Sequence, residues 1–92
     1  MRRNRTVMSR LTGILDMSAQ PLPGVPIIEI CGDQRVLIEN HKGVIGYGSE
    51  KIGVAVSYGK IEVSGCGLKI CFMSKQQLII VGQVGGIQIE RS

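Results

Sequence analysis

A chain of 92 residues is too short for two independent domains, and its hydrophobic content of 43% fits one compact core. Only Tyr47, Tyr58 and Phe72 are aromatic, so that core rests on Ile, Val and Leu. The net charge of +4 comes from Arg2, Arg3, Arg5 and Arg10, because from Leu11 onward the Lys and Arg residues are matched in number by Asp and Glu. A neutral body argues against the broad basic groove that neutralises phosphates.

In chain order, Val7, Leu11, Ile14 and Leu15 fall at helical spacing and predict a short amphipathic helix. Pro21, Pro23, Gly24 and Pro26 end it and make an extended connector. Residues 1–26 therefore read as a basic leader and 27–92 as a β domain.

From Ile27 the hydrophobic period changes to two. Alternation is clear at Ile28 and Ile30, Val36 and Ile38, Ile52 to Val56, Ile61 and Val63, Leu68 to Phe72, and Ile87 and Ile89, and weaker at Val44 to Tyr47 and Leu78 to Val81. Turn residues at Gly32-Asp33, His41-Lys42-Gly43, Tyr58-Gly59, Gly65-Cys66-Gly67, Ser74-Lys75-Gln76 and Gln83-Val84-Gly85 punctuate them. The expectation is a mainly β antiparallel meander of about seven to eight strands, forming a small sandwich, roll or solenoid-like unit. Ile61, Val63, Gly65, Ile70 and Phe72 are echoed 17 residues later by Leu78, Ile80, Gly82, Ile87 and Ile89. The simpler reading is shared hairpin punctuation, the sharper one a stacked or roll-like repeat.

The run Leu78-Ile79-Ile80-Val81 is apolar on both sheet faces. Leu78 and Ile80 are expected to fill the core, leaving Ile79 and Val81 on the other face to be covered by the N-terminal helix or a partner. Apolar runs of four residues are also far short of the about 20 that span a bilayer as a helix. With three cysteines, Cys31, Cys66 and Cys71, and no secretory signal read ahead of them, a reducing cytosol is expected.

No residue set carries catalysis. His41 is the single histidine, and beside Glu39 and Asn40 it reads as solvated turn chemistry. Cys66 and Cys71 lack the second ligand pair of a zinc site. No Gly-x-Ser-x-Gly elbow accompanies the serines, and Gly46-Tyr47-Gly48 opens no phosphate-cradling helix. No catalytic residue, metal or cofactor is therefore assigned. The rival reading, a small β-barrel nucleic-acid-binding protein, is weakened by scattered aromatics and balanced charge.

Pro26-Ile27-Ile28-Glu29-Ile30, followed by Ile38-Glu39-Asn40-His41-Lys42-Gly43-Val44, resembles the YqfC/YabP family of bacterial sporulation proteins. Lys60-Ile61-Glu62-Val63-Ser64-Gly65, Leu68-Lys69-Ile70, Leu78 to Gly82 and Ile87-Gln88-Ile89-Glu90 are similar to its later half, so coverage runs from about Leu11 to Glu90. The resemblance implies a non-enzymatic binding or scaffold role in spore morphogenesis or coat assembly, in the mother-cell cytoplasm or at the periphery of a membrane. The partners expected are further copies of the chain and a membrane-bound sporulation protein. The interaction residues expected are Arg2, Arg3, Arg5, Arg10, Leu11 and Leu15 in the leader, which caps the core or touches an anionic surface, with Ile79 and Val81 on the sheet.

Overall fold

The computed structural model describes residues 24–92; the expected leader helix lies outside them. Among the described residues there are six strands and no helix: β1 (Ile27–Cys31), β2 (Arg35–Glu39), β3 (Gly43–Tyr47), β4 (Lys51–Val56), β5 (Gly59–Met73) and β6 (Gln77–Arg91). All neighbours are antiparallel, in the order β1-β2-β6-β5-β4-β3.

The strand count of seven to eight is corrected to six, because two expected turns are bends within long strands. Gly65-Cys66-Gly67 lies inside the 15-residue β5, and Gln83-Val84-Gly85 inside the 15-residue β6. Register shifts between Ser64 and Gly65 and between Cys66 and Lys69 mark bulges, which kink a strand without ending its pairing. Glycine alone does not distinguish the two, because bulges and turns both draw on its conformational freedom.

The bend folds the β5–β6 hairpin over on itself. Glu39, at the end of β2, pairs with Gln77 beside the hairpin turn, whereas Gly43, at the start of β3, pairs with Ala55 and through it Lys60, near the hairpin's open end. In a straight ladder those ends lie about 40 Å apart. Three residues, Asn40 to Lys42, join them, and they reach at most about 14 Å. The ladder must double back. A straight 15-residue strand would also run about 50 Å, beyond the molecule's longest extent of 39 Å.

Doubling back makes two layers. The first sheet holds β1, β2, the start of β6 (Leu78–Val81) and the end of β5 (Lys69–Met73). The second holds β3, β4, the start of β5 (Gly59–Ser64) and the end of β6 (Gly86–Arg91). Val36, Ile38, Leu78 and Ile80 from the first meet Ile52, Val54, Ile61 and Val63 from the second, all fully buried in one cluster. Burying each such side chain is worth about 1.5–3 kcal/mol, and neither sheet alone supplies the covering surface.

The 17-residue echo marks this architecture. Ile61 and Val63 in the central part of the second sheet correspond to Leu78 and Ile80 in that of the first. At the bend, Gly65 and Leu68 donate backbone N–H groups to Glu50 O and Ser49 O in the β3–β4 loop. Gly82 and Val84 donate to Gln34 O and Asp33 O in the β1–β2 loop. The two loops are themselves 16 residues apart, Gly32-Asp33-Gln34 against Gly48-Ser49-Glu50, a second echo in the sequence.

Candidate functional site

His41 is 8% exposed and is the buried polar residue of the described chain, so its reading as solvated turn chemistry is corrected. The turn itself is also not a hairpin: Asn40, His41 and Lys42 carry the chain from the first sheet to the second, since β2 and β3 do not pair. Asn40 takes φ 64°, a left-handed conformation that Asn tolerates better than most residues, and Gly43 follows at φ 125°.

These residues form a clamp. Gly43 N–H donates to His41 Nδ1 at 3.0 Å, so Nδ1 is an acceptor and the ring proton sits on Nε2, which donates to Ser74 O at 2.9 Å in the β5–β6 turn. Asn40 N–H donates to Gln76 O at 2.7 Å, and Asn40 Nδ2 to Val25 O at 2.9 Å, pinning the entry to β1. Gln77 Nε2 donates to Glu39 Oε2 at 3.0 Å. The run Glu39-Asn40-His41 thus ties the crossover to the tip of the long hairpin. Neither ring nitrogen is free for a substrate or metal in this arrangement.

We expect His41→Ala to lower stability by on the order of 1–3 kcal/mol, because it leaves Gly43 N–H and Ser74 O without their side-chain partner. His41→Gln, which retains a donor but loses the ring geometry, is expected to fall between. Urea denaturation and exchange of the Gly43 amide check this, and an unchanged midpoint for His41→Ala would rule out the clamp.

The remaining chemistry-bearing groups are dispersed. Cys31, Cys66 and Cys71 are free and exposed, and among the described residues no three His, Cys, Asp or Glu side chains are grouped to hold a metal ion. No helix there is long and apolar enough to cross a membrane. Arg2, Arg3, Arg5, Arg10, Leu11 and Leu15 lie outside the described residues.

Ile79 and Val81 take the face opposite Leu78 and Ile80 and are half-buried. Register places Leu37, Ile79 and Phe72 in one row across the outer face of the first sheet, with Val81 in the next row. The corresponding positions of the second sheet are Gly53, Glu62, Gln88 and Ser64. At these four positions the two sheets differ in chemistry, Leu37, Ile79, Val81 and Phe72 being apolar; Glu29 continues the first row, Arg35 and Lys69 flank Val81, and on the second sheet the exposed Ile45 side chain lies over Gly53. The sequence showed the apolar pair at Ile79 and Val81; Leu37 and Phe72 join it only through register, which no local pattern reveals.

Fold and site together define a small two-layer β domain with its histidine committed to a structural clamp and a group of apolar side chains, Leu37, Ile79, Val81 and Phe72, on the outer face of one sheet. The chain belongs to the YabP family, whose model matches residues 25–92. Membership associates the protein with sporulation, and the family is not a known family of enzymes. No curated protein and no solved structure matches the chain.

Proposed function

We propose that the protein is a non-enzymatic binding and scaffold component of spore morphogenesis, acting in the mother cell by docking a protein partner on the outer face of its first sheet. A membrane-bound sporulation protein fits the reading, with the basic leader supplying a second contact to the anionic surface. The observation that carries it is the contrast at matched positions: Leu37, Ile79, Val81 and Phe72 on one sheet against Gly53, Glu62, Ser64 and Gln88 on the other. Adjoining exposed apolar side chains are costly to leave in water, and Gly53, Glu62, Ser64 and Gln88 at the matched positions indicate that the architecture does not require them there.

Deleting the gene in its source organism is expected to reduce heat-resistant spores by orders of magnitude while vegetative growth stays normal. Spore counts after heating test this directly. Undiminished counts would overturn the sporulation role.

A further inference from the structure

Among the described residues, the doubled-back ladder leaves the end of β6 as an edge strand of the second sheet, since β2 pairs only with Gln77 to Val81. Ser92 N–H donates to Tyr58 O, so the even-numbered backbone groups of this stretch face β5. Those of Ile87, Ile89 and Arg91 point away from β5, toward the open edge. Their side chains share the inner face, where Ile89 is 55% exposed and Ile87 half-buried.

The other edges are blunted. Pro26 precedes the short β1, a register shift between Val44 and Gly46 breaks β3, and another between Ile70 and Phe72 breaks the end of β5. From Gly86 to Arg91 the strand is regular and carries no proline.

We propose that this edge pairs antiparallel with the same edge of a second copy about a two-fold axis at Gln88. In that register Ile87 faces Ile89 of the second copy and Ile89 faces its Ile87, both in hydrogen-bonded positions where the outward N–H and C=O groups exchange bonds. On the outer face Gln88 meets itself, amide to amide, and Glu90 lies opposite a glycine, Gly86, so no like charges face each other. Glu90 keeps its ion pair with Lys60 at 3.7 Å, and Arg91 stays over the Tyr58 ring at 4.7 Å. A shift to an axis at Ile89 would set Ile87 against Arg91, so side-chain chemistry selects the first register.

The test is sedimentation velocity on the full chain across a concentration series, with a cross-linking variant. Wild type is expected to sediment as a dimer, Ile89→Lys as a folded monomer by circular dichroism, and Ile30→Lys, at an equally exposed position on β1, as a dimer. With Cys31, Cys66 and Cys71 changed to Ser, Gln88→Cys is expected to form a covalent dimer on mild oxidation, because the axial pair brings its Cα atoms to about 4.5 Å. Wild type that stays monomeric throughout, or a dimer that survives Ile89→Lys and gives no cross-link at Gln88, overturns the proposal. These residues lie on a different sheet from Ile79, so the outcome is separable from the docking reading.

Discussion

Ile80→Lys is expected to abolish folding, giving a chain without a cooperative thermal transition. Ile80 is fully buried where β6 passes between β2 and β5, paired with Val36 on one side and Ile70 on the other. The described core cluster around it is apolar throughout, so an ammonium there finds no counter-charge. An unpaired buried charge costs several kcal/mol, against a total stability on the order of 5–10 kcal/mol for a domain of this size. The neighbouring Ile79→Lys is expected to leave a folded domain with a melting temperature lowered by only a few degrees, since its side chain lies on the outer face with solvent to reach. Thermal melts by circular dichroism separate the two, and equal losses would mean that the two faces are not distinct.

Gly82→Ala is the second large effect, with an expected loss on the order of 2–5 kcal/mol in urea denaturation. Gly82 holds φ 137°, which L side chains rarely adopt, at the place where β6 crosses the bend of β5. A Cβ there would lie 2.5 Å from Gly67 O and 2.8 Å from Leu68 Cα, both backbone atoms with no rotamer to move aside. Relief requires opening the bend, and the bend is what brings the two sheets together. Gly32→Ala is the matched control: its φ is 57°, but nothing lies within 4 Å of the added methyl, so only conformational strain of about 1 kcal/mol is expected. A Gly82→Ala variant as stable as Gly32→Ala would show that the close crossing is not a constraint.

Strand content was legible in the sequence because alternation at Val36 and Ile38, Ile52 to Val56, and Ile61 and Val63 reports directly which face is buried. The bend was not, because Gly65 and Gly82 carry the same local signal whether a chain reverses or a long strand kinks. Only Gly65 N–H to Glu50 O and Gly82 N–H to Gln34 O, contacts remote in sequence, decide between them. His41 failed for a related reason. Beside Glu39, Asn40 and Lys42 it looks solvated, and its burial follows from docking on Ser74, 33 residues away. The apolar face was half legible: Ile79 and Val81 announce themselves within one strand, whereas Leu37 and Phe72 reach the row by pairing across β2, β6 and β5.

On the proposed function, the outer face of the first sheet docks a partner needed for spore morphogenesis. The most direct test is complementation of the deletion strain with Ile79→Lys, compared with Glu62→Lys at the matched position of the second sheet, both at wild-type protein levels. Glu62→Lys is expected to restore heat-resistant spore counts and Ile79→Lys is not, although the purified Ile79→Lys domain is folded. Full restoration by Ile79→Lys would contradict it, because the apolar row would then be a surface on which nothing required for sporulation docks.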